Sequence, residues 1–462
     1  MYFQTRPLAD QDTGGSRITD LYQFNPEHYP YVLASTTTAN NSRFDILLAH
    51  PQQALERYQQ TLADGDQGFL DALHAWWLQE RTAPAEAGDS AAGTHLPFTG
   101  GWFVYLSYEL AAEIEPVLDL PRGHDDDPVA VAVRCPAALI YDHQRHQHIA
   151  VAENEYSHLL DIIEQDFSAA LASNRSSGGR ATAVEVCSIR EADEAPYLAQ
   201  VARMKQYIVD GDIFQANLSR SWHLEIKHDA GDTDTAIFRR LATANPGAFA
   251  VLARLPHSSV ISSSPERLVS VRAGVIETRP IAGTRPRSED ESLDGRLATE
   301  LMAHPKEQAE HIMLIDLERN DLGRICVPGS IHVNELMTLE SYQHVHHIVS
   351  NIIGRLRDDV SPADIIRAVF PGGTITGCPK VRCMEILAEM EQQARGAYTG
   401  SIGYINRSGD MDLNILIRTL VRRGSAITFR AGGGIVADSD AEHELAETRA
   451  KAKGLLRAFG ID

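Results

Sequence analysis

Cysteine is scarce and unpatterned in this sequence. The five, Cys135, Cys187, Cys326, Cys378 and Cys383, are scattered, odd in number and form no C-x-x-C pair. That argues against a disulfide framework or a zinc ribbon and points to reduced thiols in a cytoplasmic setting. Basic charge is short as well: 42 Lys and Arg stand against 63 Asp and Glu, a formal net charge of −21. Such a chain does not bind nucleic acid through its bulk field. It also repels anionic ligands at long range, so an anion site here needs local cations or backbone donors. No apolar run approaches about 18 residues, so no membrane-spanning helix is expected. The first twenty residues carry acids and no apolar stretch of the signal-peptide kind, so no secretory leader is expected.

What is present is enough apolar material for a large core: 43% of 462 residues. Two stretches read as surface connections, the Ala/Gly/Thr/Pro-rich 80–95 and the Ser/Gly-rich 168–180. The second divides the chain into an N-terminal region, 1–180, and a longer region, 190–462. Strand-like runs in the first part are 31–35, 44–48, 102–105 and 130–141. In the second part they are 214–224, 249–254, 260–264, 268–272, 401–406, 413–422 and 426–431. Helical periodicity covers 195–209, 293–322, 362–369, 381–393 and about 440–459. Strands and helices come in clusters rather than strict alternation, which favours an α+β fold with antiparallel sheets over a doubly wound one.

Several segments invite chemistry. Pro371-Gly-Gly-Thr-Ile-Thr-Gly-Cys-Pro-Lys380 superficially suggests a phosphate loop, but Gly377 is not followed by Lys-Ser/Thr, so that reading fails. A helix starting at Pro379, together with Thr376, suits a carboxylate; a plain Gly/Pro turn is the alternative. Gly432, Gly433 and Gly434 precede the last helix and read either as an anion nest or as a tight strand-to-helix turn. On that helix Glu444 and Glu447 are three apart and share a face, with Lys451 one turn on; Glu307 and Glu310 repeat the spacing elsewhere. Each pair alone is most often a solvated face. His344, His346 and His347 cluster with no carboxylate or cysteine at ligand spacing. On a strand His347 faces away from the other two. No nucleophile-elbow sequence surrounds Cys378, and it is given no role.

Taken in order, these segments resemble the chorismate-binding enzymes: anthranilate synthase component I, aminodeoxychorismate synthase component I, and the isochorismate and salicylate synthases. The resemblance rests on GDIFQANLSR (211–220), SSSPERLVSV (262–271), ETRPIAGTRPR (277–287) and EQAEHIMLIDLERNDLGR (307–324). It continues through VHHIVSNI (345–352), FPGGTITGCPKVRCMEIL (370–387), GSIGYINRSGDMDLNILIRT (400–419) and AGGGIVADS (431–439). It implies a large body of two packed antiparallel sheets with outer helices, as in anthranilate synthase component I. It also implies Mg²⁺ held by Glu310 and Glu447, with Glu444 close by, against the ring carboxylate of chorismate. The second carboxylate is then expected against Arg418, Lys451, Tyr398, Thr376 and the amides of Gly432 to Gly434. His347 is expected at the ring, and Glu266 as the general acid for the departing 4-hydroxyl.

The water-using members carry a lysine where this chain has Gln215, and a carboxamide cannot deprotonate water, so ammonia is the expected nucleophile. Many aminodeoxychorismate synthases carry an attacking lysine where this chain has Ala282, as anthranilate synthases do. Against that single position stand SRFDILLAHP (42–51), FTGGWFVYLSYEL (98–110) and DHQRH (142–146), which resemble aminodeoxychorismate synthase. Val32-Leu33-Ala34-Ser35 and Asn245-Pro246-Gly247-Ala248-Phe249 also depart from the tryptophan-feedback motifs of anthranilate synthases. The expected activity is amination of chorismate to 4-amino-4-deoxychorismate, which leads to 4-aminobenzoate and folate. Nothing resembles a glutaminase, so ammonia is expected from a separate glutamine amidotransferase subunit.

Overall fold

The computed structural model describes residues 2–8, 16–37, 43–59, 67–82, 96–177, 184–227, 233–288, 290–342 and 345–461. His344, most of the first expected connection (83–95) and the end of the second (178–180) lie outside them; residues 168–177, expected as a connection, instead continue the helix Leu159–Ser177. Among the described residues the fold is α+β: two antiparallel sheets, one of twelve strands and one of ten, with helices on their outer faces. Both sheets draw strands from both sides of residue 180. In the first, Tyr31–Ala34 pairs with Phe249–Arg254; in the second, Gly101–Leu106 pairs with Ser401–Asn406.

The strands read as period-two patterns that are apolar on both faces, because each face meets a different layer. In Phe44–Ala49, Ile46 and Leu48 enter the core between the sheets, while Leu47 and Ala49 enter the core under the outer helices. Gly101–Leu106 sends Phe103 and Tyr105 between the sheets and Trp102, Val104 and Leu106 outward. Fully burying one such side chain stabilises by about 1.5–3 kcal/mol. The helices Ile18–Phe24, Leu159–Ser177, Thr233–Ala244 and Ala441–Leu456 cover the first sheet, and Phe69–Glu80, Pro305–Gly323 and Pro362–Val369 cover the second.

Three expected elements divide. The run 130–141 is two strands, Pro128–Cys135 and Ala137–Asp142, which belong to different sheets; Pro136 stands at the crossover. The helical run 293–322 breaks at His304 into Glu291–Ala303 and Pro305–Gly323, because proline fits a first turn and not a helix interior. The run 413–422 breaks at 415–418, where Arg418 adopts φ +52°.

Candidate active site

Strand Gln215–Ile226 and strand Ala426–Ile435 form the floor of the site. They pair antiparallel, with Gly432 opposite Ser219, Gly433 opposite Leu218 and Gly434 opposite Asn217. The glycine triplet is therefore neither a nest nor a strand-to-helix turn; the strand runs on through it to Ile435. Its missing side chains matter on both faces. A Cβ on Gly432 would stand 2.8 Å from the Tyr398 hydroxyl, and one on Gly434 would stand 2.3 Å from Gln215 Nε2. On the opposite face, a Cβ on Gly433 would meet Glu444 Oε2 at 3.3 Å and Glu447 Oε1 at 3.4 Å. Bare backbone lets the last helix and the inner side chains approach the same short stretch of chain.

Gln215, Tyr398, Lys451, Glu310, Glu444 and Glu447 gather around this floor. Gln215 Nε2 donates to Glu310 Oε1 at 2.8 Å, and its own Oε1 is sealed from solvent without a partner. Lys451 Nζ donates to the Gly432 carbonyl and pairs with Glu447 Oε1, each at 2.7 Å. Asn217 Nδ2 reaches Tyr398 Oη at 3.4 Å and the Ile375 carbonyl at 3.1 Å. Burial first, with Glu307 and Glu447 adding to it, pushes the Glu310 carboxyl above its ordinary range; burial and then Glu447 do the same to Glu444.

A second group carries Glu266, Arg418, His347 and Ala282. Glu266 is buried and accepts a 2.7 Å hydrogen bond from Thr374 Oγ1. Burial pushes its pKa up to about 7, against a smaller opposing pull from Thr374 and Arg418. The Arg418 guanidinium, lowered by burial, faces Glu266 and reaches Asn245 Oδ1 at 3.4 Å. His347 Nδ1 lies 2.9 Å from Thr284 Oγ1 and 3.4 Å from the Gly283 carbonyl. Burial and then Arg418 hold His347 neutral, down to about 4. His346 points the other way, to Ser341 and Asp294, so the two faces expected of the strand are there. Ala282 is buried opposite Ile348, just before Gly283 at φ +66°.

Helix Pro305–Gly323 runs past both groups. It brings Glu310 to Gln215, Glu307 to Arg285 at 3.2 Å, and Glu318 toward Glu266. Glu318 was not singled out from the sequence. Burial of its carboxyl, with Thr278 pulling against it and Glu266 adding to it, pushes its pKa up to about 8. The signal was available, since residues 307 and 318 are eleven apart and so share a helix face. Thr374, which donates to Glu266, was missed as well. Thr376 is fully buried, its hydroxyl donating to the Gly372 carbonyl at 2.9 Å and its carbonyl accepting from Asn217 N. Helix Lys380–Glu391 starts one residue later than expected, with Pro379 as its N-cap.

The glutamates suit a hard divalent ion in chemistry. They are oxygen donors, the Glu447 charge pushes both Glu310 and Glu444 upward, and Gly433 leaves room against two of them. Their oxygens are not drawn to mutual ligand spacing, because Lys451 holds Glu447 and Gln215 holds Glu310.

A profile of the family described as chorismate binding enzyme matches residues 29–457. Over 368 residues the chain is 43% identical to an anthranilate synthase component I-like protein of Synechocystis sp., spanning 79% of this chain and 74% of that one. Over 402 residues it is 39% identical to aminodeoxychorismate synthase component 1 of Bacillus subtilis, spanning 85% and 82%. The crystal structure of anthranilate synthase component I from Streptococcus pneumoniae TIGR4 matches with a TM-score of 0.77 and 29% identity, over 90% of this chain and 93% of that one. The fold is anthranilate synthase component I-like.

Proposed function

Since the chain belongs to the chorismate-binding enzymes, we propose that it is the synthase component that converts chorismate and ammonia to 4-amino-4-deoxychorismate. Segments 42–51, 98–110 and 142–146 favour this product over anthranilate, and the observation that supports amination over hydration is a division of labour between two side chains. Glu266 is a buried carboxyl that still holds its proton near neutral pH, while Gln215, at the floor of the site, is a carboxamide with no basic nitrogen.

In the net reaction a C–N bond forms at C4 and the C4–O bond breaks. Glu266 protonates the departing hydroxyl, which leaves as water, and the surplus proton on the new ammonium group returns to the carboxylate. Arg418 and neutral His347 line the same side as Glu266; Lys451, Tyr398 and the glycine backbone receive a substrate carboxylate. Glu310, Glu444 and Glu447 would hold Mg²⁺, which when bound would supply positive charge to the other carboxylate. The lysine that many aminodeoxychorismate synthases carry at position 282 is the nucleophile for a transient addition at C2; Ala282 offers none, so that addition falls here to ammonia or water. A separate amidotransferase subunit delivers the ammonia.

A second reading, anthranilate formation with loss of pyruvate, is favoured by Ala282 and by the Synechocystis relative. One experiment separates the two. The purified chain is incubated with chorismate, Mg²⁺ and a high concentration of ammonium chloride near pH 7, where Glu266 still holds its proton in part, and the products are identified by chromatography and mass spectrometry. A product convertible to 4-aminobenzoate by an added lyase is expected; anthranilate with equimolar pyruvate selects the second reading. No turnover at high ammonium overturns both.

A further inference from the structure

Outside the active-site elements, on the outer side of the first sheet, three chain segments bring His28, His50 and Asp166 together. His28 follows helix Ile18–Phe24, His50 directly follows strand Phe44–Ala49, and Asp166 lies within helix Leu159–Ser177. One ligand-type atom from each lies within 4.8 Å of the others, the single such group of three or more His, Cys, Asp and Glu among the described residues. His50 is only 8% exposed, and its Nε2 is sealed from solvent with no hydrogen-bond partner. An orphaned buried polar atom costs about 1–3 kcal/mol. A purely structural histidine would be expected to satisfy that nitrogen.

The surroundings hold the three side chains in place. His50 sits at φ +54°, a region non-glycine residues rarely occupy. Its N–H donates to the His28 carbonyl at 2.6 Å, and its own carbonyl accepts from Gln52 Nε2 at 2.8 Å. Tyr29 Oη donates to Asp166 Oδ2 at 2.7 Å, and Asn25 Nδ2 meets His28 Nδ1 at 3.0 Å. Such outer contacts orient metal ligands. Burial first, then His28 and His158, hold the His50 ring neutral, down to about 4, against Asp166.

We infer that His28, His50 and Asp166 form a cation site for a zinc-class divalent ion, separate from the glutamate cluster and independent of the product assignment. Two imidazoles and one carboxylate suit Zn²⁺, Co²⁺ or Ni²⁺, whereas an all-carboxylate set suits Mg²⁺. Tetrahedral ligands stand roughly 3.3 Å apart at ordinary Zn–N distances, so the three atoms must draw together slightly. The exposed His28 ring can supply that movement by giving up its contact with Asn25. The fourth position falls to water or to His158, which is exposed and near enough to depress the His50 ring. The bound ion would clip helix Leu159–Ser177 to the ends of two other segments.

The test uses the full chain, stripped with chelator and titrated with Zn²⁺ in excess Mg²⁺, with bound metal measured by equilibrium dialysis and Tm by calorimetry. The expected result is one Zn²⁺ per chain and a higher Tm on loading, with Co²⁺ giving the visible bands of a four- or five-coordinate ion. His28→Ala, at an exposed position, should weaken binding about tenfold or more and abolish the Tm rise, leaving ammonium-dependent activity unchanged. His50→Asn, which tolerates the left-handed backbone, should do the same. The inference is overturned if the wild-type chain takes up no stoichiometric Zn²⁺, or if His28→Ala binds it as tightly as the wild type.

Discussion

At one end of the gap between the sheets, Tyr31 stacks on Phe103 with ring centroids 3.7 Å apart, and Ile46, Val131, Ile140 and Val251 close around them. At the other end, Glu391 lies buried between Arg395, 2.7 Å away, and Arg430, 2.9 Å away, and also accepts from the Ser219 amide and hydroxyl. A cleft of about 210 Å³, lined by Tyr105, Arg395, Tyr398, Thr428 and Arg430, opens between them. The dry end depends on area and volume, and tolerates exchange of one apolar shape for another. The charged end is worth having only when complete, since each group was desolvated to enter it. Completeness also fixes the site. Arg395 donates to the carbonyls of Asn217 and Ile375, so the network pins the loop that carries Thr374 to Glu266.

The comparison can be tested at both ends and at the site that the charged end supports. The largest effect belongs to Glu266→Gln, which should lower kcat about 10²- to 10⁴-fold while leaving the fold intact. At a fixed concentration of free ammonia the wild-type rate should also fall as pH rises through about 7, where Glu266 loses its proton, and the variant's residual rate should lack that limb. The sign for stability is the same: between the ordinary carboxyl range and about 7 the folded chain holds a proton that the unfolded chain has released. Glu266 therefore lowers stability as pH rises across that window.

Next is Glu391→Ala, which leaves two buried guanidinium groups without their carboxylate and should cost about 3–5 kcal/mol in denaturant unfolding. A loss under about 1 kcal/mol would mean that the charged end relaxes as the apolar end does. Smallest is Phe103→Leu, which keeps the apolar character and gives up the ring stacking. It should cost about 1 kcal/mol with unchanged kcat. A drop in kcat would show that the dry end also positions the site.

Much of this was legible in sequence wherever one period ran between clean breakers. Helix Pro362–Val369 and strands Phe249–Arg254 and Ser401–Asn406 have the bounds their periodicity suggests. The misreadings share a cause. An apolar run crossing Pro136 looks continuous although the chain changes sheets there, and a glycine triplet reads as a turn although a neighbouring strand pairs with it throughout. A local pattern reports which residues are buried, not which layer buries them.

By itself, then, the sequence determined the reduced thiols, the acidic surface, the α+β class and the ordered motifs that mark the family, because composition and short-range spacing carry those properties. Only the tertiary structure decided that Gln215 meets Glu310, that Glu318 stands near Glu266, that Glu391 neutralises two arginines and that His28, His50 and Asp166 converge. In three of these four the partners are separated by tens of residues, and Glu391, whose Arg395 is local, still needs Arg430 from a distant strand. Sheet register and helix docking set such distances, and no window of the chain contains that information.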